Sequence, residues 1–377
     1  MKKNEIRMEL QDFLRKNPKD YDAILSAAPF FLKIQHEDGY VLFKYDQLKS
    51  DFSLPIVREA RGIIFREDNF KCVRRSFDKF FNVQEPNAAK IDWDTAWITE
   101  KVDGSLIAAW ADKGKWHLST NGQIDAFKVQ TGSILYPTFG KLFERALKNY
   151  NYNSFEEFCE QLPEGQCQTF ELCTEENRIV IPYEGFHIYY LGSYLLDYEC
   201  ERYYRDWADM SLGVELPQTY RATSMEQLIE RASTLPWDEE GYVVCDSDFN
   251  RVKVKSTQWL RAHYTLNNNV VTRKRLLGVI LAGEEDEFLV FAEKYREELE
   301  KIHLQMDCLE QKAQDSVAAL SPFLVEPRKI WAAQVSKISL PIIRDYLFKY
   351  YSSSMASGDY TKNWDSSKWE KVLEDNH

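Results

Sequence analysis

Glu100-Lys101-Val102-Asp103-Gly104-Ser105-Leu106 is the stretch whose reading decides the rest of the chain. It follows Ala96-Trp97-Ile98-Thr99, an apolar, β-prone run that predicts a buried strand. A lysine at the mouth of such a strand suits a nucleophilic amine. A free lysine has a pKa near ~10.4 and is mostly protonated at neutral pH. Burial and neighbouring cations lower that value and free the lone pair. Asp103 stands where it can orient the lysine or hold a metal, and Gly104 would let the backbone approach a ligand closely. Alone, the pattern also fits a strand ending in a turn with an exposed lysine, so the surrounding chain must decide.

Downstream, charged residues interrupt apolar strands at intervals. Residues 106–110 and 116–120 predict two strands around the turn Asp112-Lys113-Gly114. Gln168-Thr169-Phe170-Glu171-Leu172 carries a carboxylate in its middle, and residues 188–196 form an apolar, aromatic strand. Glu240-Gly241-Tyr242-Val243-Val244-Cys245 is opened by an acid. Val252-Lys253-Val254-Lys255 puts two lysines on one face, because strand side chains alternate. Upstream, residues 29–34 and 40–45 predict a hairpin around His36-Glu37-Asp38-Gly39, and residues 61–66 another strand. Residues 71–81 interleave four cations with three aromatics. That run fits a β-edge with a solvated basic face, or a phosphate-contacting surface with rings for stacking. Helices are expected at 2–16, where Ile6, Leu10 and Leu14 are four apart, at 139–161, and after Thr223-Ser224-Met225-Glu226.

Near residue 265 the strand pattern stops. Phe288, Phe291, Tyr295, Leu299, Ile302, Met306 and Leu309 form the apolar stripe of a long helix, which fits packing. Residues 325–350 read as more helix broken at Pro327 and Pro341, with a last short helix near Trp369. The expected fold is α+β: antiparallel sheets with flanking helices over 1–264, then an all-helical domain over 265–377.

Totals narrow the classes. The 377 residues suit two domains, and 44% hydrophobic content can fill their cores. A net charge of -12 argues against a general positive field for coating nucleic acid, though not against a local basic groove. The seven cysteines are scattered without a Cys-x-x-Cys pair, as expected in a reducing cytoplasm. No apolar run approaches ~18 residues, so no membrane partner is expected. The N-terminus lacks the apolar core of a signal peptide.

Five pieces thus stand in order: Arg61, Lys101-Val102-Asp103-Gly104, Glu171, Glu240-Gly241 and Lys253-x-Lys255. A charge in an apolar strand is costly unless paired or pointed into a site. With the flanks Glu59-Ala60-Arg61-Gly62-Ile63-Ile64-Phe65, Asp78-Lys79-Phe80-Phe81-Asn82, Asn177-Arg178-Ile179-Val180-Ile181-Pro182-Tyr183 and Lys253-Val254-Lys255-Ser256, the set resembles the covalent nucleotidyltransferases. Within them it is most similar to the bacteriophage RNA ligase 1 family, the tRNA-repair ligases.

The resemblance implies a nucleotidyltransferase (adenylation) domain, ATP as cofactor, and magnesium, with manganese able to replace it. It implies that Lys101 attacks the α-phosphorus of ATP and holds AMP, that Glu171 binds the ribose, and that Lys253 and Lys255 neutralise the α-phosphate. Arg61 and Lys79 would contact ATP phosphates, with Tyr45 and Phe81 beside the nucleotide. Glu240 would hold the metal or position the lysine. AMP would pass to an RNA 5′-phosphate, single-stranded or from a broken tRNA, and a 3′-hydroxyl would then seal the ends. A monomer is expected. Asp286, within Glu284-Glu285-Asp286-Glu287, is a second metal candidate or an exposed acidic helix start.

Some positions depart: the resembled pattern has a lysine near residue 121, where this chain has Asn121, and Tyr189-Tyr190-Leu191-Gly192-Ser193 matches the family's middle motif poorly. The helical tail resembles RNA ligase 1 rather than DNA ligases or capping enzymes, which attach a small barrel there. Residues 251–275 hold seven Lys or Arg and no carboxylate, a strip suited to an RNA end. DNA ligation, mRNA capping and non-catalytic RNA binding are the alternatives.

Overall fold

The computed structural model describes residues 8–47, 49–196, 200–202, 212–260, 272–282, 285–325, 327–338, 340–352, 364 and 366–374. The chain divides into two compact units, Met1–Tyr264 and Thr265–His377.

Strands of the first unit, in chain order, are β1 (Lys33–Glu37), β2 (Tyr40–Lys44), β3 (Arg61–Arg66), β4 (Cys72–Arg74), β5 (Phe81–Asn82), β6 (Trp97–Glu100), β7 (Ser105–Asp112), β8 (Lys115–Thr120), β9 (Gln166–Thr174), β10 (Phe186–Leu195), β11 (Cys200–Arg202), β12 (Thr219–Tyr220), β13 (Gly241–Cys245) and β14 (Arg251–Lys255). They build three sheets, ordered β1-β2-β3-β4, β11-β10-β9-β7-β8 and β12-β6-β13-β14-β5. All of these pairings are antiparallel except β14 with β5.

Period-two alternation separates the cores. Along β7, Ala108 and Trp110 face a core shared with the first sheet, including Phe43, Ile64 and Phe65. Ile107 and Ala109 face the opposite core, with Phe143, Phe158 and Phe170. The third sheet buries Ile98, Tyr242, Val244 and Val254 against Leu228 and Ala232. β6 belongs to this third sheet and β7 to the second. Residues 101–104 are therefore the hand-over between two sheets, which is why a charged side chain can stand at the end of an apolar strand.

Helix α1 (Glu9–Lys16) has no side-chain cap of its own. The buried Glu59 supplies one from 50 residues away, accepting from Glu9 N at 3.0 Å and Leu10 N at 2.8 Å. Burial pushes this carboxyl up to about 7. Glu59→Ala leaves both amides without acceptors and should lower stability by about 1–3 kcal/mol in urea unfolding at neutral pH. An unchanged midpoint would remove this capping role.

Several boundaries differ from expectation. β1 begins at Lys33, because Phe31 takes φ +46° and turns the chain before it. The stretch 72–82 is two strands: the buried Arg74 ends β4, and the buried Arg75 just after it is bonded to Asp78 and Tyr194. The helix expected over 139–161 is two, α2 (Phe139–Leu147) and α3 (Phe155–Cys159), with Asn151 left-handed at φ +66°. Ser154 Oγ caps the second, accepting from Glu157 N at 3.2 Å. Ile6 and the rest of residues 1–7 lie outside the described residues.

The second unit contains helices Arg273–Ala282, Glu285–Ala292, Arg296–Leu320, Arg328–Val335, Pro341–Ser352 and Ser366–Glu374. Leu299, Ile302, Met306 and Leu309 are buried as a stripe that continues through Ala313, Val317 and Leu320. Phe288 lies on a separate helix, because a 3-10 turn at Glu293–Tyr295 interrupts the expected one. Among the described residues no helix is long and apolar enough to cross a membrane.

Candidate active site

Lys101 leaves β6 with its backbone N–H donated to Gly241 O at 2.8 Å. That bond aligns it with the start of β13, where Glu240 stands. Lys101 Nζ lies 2.7 Å from Glu240 Oε1, and Lys255 Nζ lies 3.4 Å from the same oxygen. Glu240 is 3% exposed. Burial raises its carboxyl above the ordinary value, against the pull of Lys101 and Lys255. Gly241 permits the approach: at φ +136° a β-carbon there would stand 2.2 Å from Val254 O.

Glu171 faces the same place from the centre of β9. Burial pushes it up to about 8, with Glu240 and Asp103 adding to the rise and Lys101 and Arg61 opposing it. Its folded value lies above its ordinary 4.5, so the folded state is penalised as pH rises from about 4.5 to about 8. Glu171→Gln should therefore be no more stable than wild type at pH 4. It should gain about 1–3 kcal/mol above pH 8. Thermal melts across that range check it, and a gain that shrinks as pH rises contradicts it.

Three of the expected cations rest on aromatic rings. Phe80 carries Arg61 at 5.1 Å and Lys253 at 5.8 Å from its centroid, joining residues nearly two hundred apart. Lys79 Nζ sits within 5.0–5.4 Å of the rings of Tyr45, Phe52 and Phe81. Phe81 is 4% exposed, so its place is a wall of the Lys79 cage. Neither Phe52 nor Phe80 carries a sequence signal for this role. Phe52 lies in a loop without periodicity, while Phe80 sits between Lys79 and Phe81 in the motif itself.

Other expected residues also have contacts within the fold. Asp103 is one. It is 4% exposed, and its Oδ2 accepts from Val180 N at 3.0 Å and Ile181 N at 2.9 Å, fastening the segment after β9. Gly104 serves packing: a β-carbon there would meet Leu172 O at 2.5 Å and Cys173 Sγ at 2.6 Å. Half of the basic run 71–81 is structural. Arg74 donates to Arg61 O at 3.1 Å, Gly62 O at 2.5 Å and Asn121 Oδ1 at 3.0 Å, and Arg75 donates to Asp78 and Tyr194. The strip 251–275 crosses from the first unit into the second. Arg251 pairs with Glu201 and stacks on Phe77, Arg273 donates to Gln305 in the second unit, and 261–271 lie outside the described residues. Asp286 lies on the helix Glu285–Ala292, and its side chain is outside the described residues.

Glu240 Oε2 is buried without a hydrogen-bond partner. An orphaned carboxylate oxygen beside a lysine pair fits a divalent cation. Among the described residues no group of three or more metal-ligating side chains is gathered, so any such ion would also use ligand and water oxygens.

An RNA ligase family profile matches residues 59–260, more than half of the chain. A candidate bifunctional polynucleotide kinase/RNA ligase of Autographa californica nuclear polyhedrosis virus is 31% identical over 276 residues, 69% of this chain. This chain spans only 39% of that relative's length. RNA ligase 1 of bacteriophage TS2126 is 38% identical over 82 residues, 20% of this chain and 21% of that one. An archaeal ATP-dependent RNA ligase structure covers 77% of each chain at 15% identity and a TM-score of 0.46. With the profile spanning Arg61, Lys101, Glu171, Glu240, Lys253 and Lys255, the chain belongs to the RNA ligase family.

Proposed function

We propose that this chain is an ATP-dependent RNA ligase that joins a 5′-phosphate to a 3′-hydroxyl through AMP carried on Lys101. The observation that carries this reading is the contact of Lys101 Nζ with Glu240 Oε1 at 2.7 Å, with Lys255 sharing that oxygen. An amine held by a buried carboxylate that a second lysine shares matches the needs of phosphoryl chemistry: a nucleophile, a proton acceptor and charge for developing oxyanions.

Lys101 gives up a proton, for which Glu240 is within reach, and its nitrogen bonds to the α-phosphorus. The bond to the bridging oxygen breaks and pyrophosphate leaves. Lys253 and Lys255 offset charge on the α-phosphate. Glu171 accepts from the ribose hydroxyls. An RNA 5′-phosphate then displaces Lys101 from AMP, and a 3′-hydroxyl displaces AMP from that adenylate. Glu240 Oε2 would help hold magnesium, which when bound supplies further charge neutralisation at the phosphates. The Phe80 ring holds Arg61 and Lys253, the two cations proposed to bind phosphate, near one another.

Incubation with 5′-phosphorylated single-stranded RNA, ATP and magnesium should give circles or joined strands. GTP in place of ATP, and nicked duplex DNA in place of RNA, should give little product. Preference for GTP or for the DNA nick would replace this reading with capping or DNA ligation. Joining of a tRNA cleaved in its anticodon loop, faster than of an unstructured strand, would support a role in tRNA repair.

A further inference from the structure

Lys44 ends β2, and its backbone pairs with Arg61 across the bulge at Gly62. The side chain is half-buried, and Nζ lies 3.4 Å from where a β-carbon on Gly122 would stand, just beyond β8. Among the described residues, no group accepts a hydrogen bond or ion pair from this amine. Asp46, two residues on, is held by Lys33 at 2.9 Å. Beside it Arg61 has a second unspent donor, since Nη1 is buried without a partner. Burial, with Lys33 and Arg61 close by, holds the Lys44 ammonium below its ordinary value. A desolvated, unpaired charge is costly, and two together repel. An anion between them would relieve both.

Asn121 explains why the cation comes from β2. Gly62 packs on its backbone, where a β-carbon would stand 2.6 Å from Asn121 O. Asn121 Oδ1 accepts from Arg74 Nη2 at 3.0 Å, and Arg74 is fully buried. A lysine at residue 121 has no acceptor to offer that guanidinium. Asn121 thus holds the β3 bulge, and an ammonium reaches the adjoining Gly122 from Lys44 instead.

We propose that Lys44, with Arg61, binds the β- and γ-phosphates of ATP and steadies the pyrophosphate as it leaves. The proposal rests on the adenylylation reading above. Arg61 is common to both places: its backbone pairs with Lys44, and its charge acts on Glu171 together with that of Lys101. In-line displacement needs positive charge at the leaving pyrophosphate as well as at the α-phosphate. In that step the Lys101 nitrogen bonds to the α-phosphorus, the α-phosphorus–bridging oxygen bond breaks, and pyrophosphate takes the electron pair. Lys44 donates hydrogen bonds to its oxygens and keeps its own proton.

Lys44→Met and Lys44→Arg test this. With ATP, adduct formation in Lys44→Met should fall about 10- to 100-fold, the loss of one charged hydrogen bond. Lys44→Arg should recover most of it. Joining of pre-adenylylated RNA, which has no β- or γ-phosphate, should stay at the wild-type rate. Affinity for inorganic tripolyphosphate, measured by calorimetry, should fall in Lys44→Met, with Tm equal to or above wild type. Unchanged adduct formation overturns the proposal. So does an equal loss in both reactions, which would assign Lys44 to an RNA phosphate or to AMP. If wild type binds tripolyphosphate through Lys44 yet forms no adduct with ATP, the anion site stands and the adenylylation reading fails.

Discussion

Lys101→Ala should lose covalent labelling by ATP entirely and lower overall RNA joining on the order of 10⁴-fold. The loss should fall on the first step alone. Alanine removes the atom that forms the bond to phosphorus, and Lys255, the other amine on Glu240, starts 3.4 Å from that carboxylate on a different strand. Lys255 is 10% exposed and rests on Trp259 with Nζ 4.6 Å from the ring, so it is not free to swing into the vacated place. Supplying the adenylate on the RNA bypasses the missing bond and should restore joining. Lys101→Arg should fail as completely, because a guanidinium keeps its proton and is no nucleophile. Labelling that persists in Lys101→Ala would assign the nucleophile elsewhere.

The second large effect is expected at Glu240. Its one oxygen holds two ammonium groups, and its backbone carbonyl separately accepts from Ser256 N at 2.7 Å. Glu240→Gln keeps that backbone bond and the side-chain volume but removes the charge. Adduct formation should fall roughly 10²- to 10³-fold, comparable with removal of a preorganised electrostatic group. Stability should change little, because the burial that raises the Glu240 carboxyl offsets the counter-charge that the two ammonium groups lose. Glu240→Asp draws the carboxylate back by one methylene and should be impaired in activity more than in stability. If Glu240→Gln labels at the wild-type rate, Glu240 is a structural counter-ion and nothing more.

The charged strands were legible because of what they cost. A lysine after Ala96-Trp97-Ile98-Thr99, a glutamate inside Gln168–Leu172 and two lysines on one face of β14 each contradict the apolar pattern around them. The contradiction resolves only if they share a pocket. Spacing along the chain could not reveal which neighbours share a side chain's face once the sheets close. Asp103 had the right chemistry for the site but points to the amides of 180–181, which lie on it only after β9 and its following turn are built. Gly104 has no room for a side chain against β9, which only the folded sheet reveals. The basic run 71–81 divides by depth, with Arg74 and Arg75 inside and Lys79 and Phe80 at the site. No periodic signal separates them, because residues 75–80 are not a regular strand. Lys44 and Phe52 belong to the first sheet and its loop, which the motifs of the other two sheets do not mention.

The most direct test of the account is tandem mass spectrometry of the full chain after incubation with ATP and magnesium, without RNA. AMP is expected as an acid-labile phosphoramidate on Lys101 and on no other residue, and addition of 5′-phosphorylated RNA should discharge it. AMP on another side chain, or an unmodified Lys101 peptide under conditions where RNA is being joined, would contradict it.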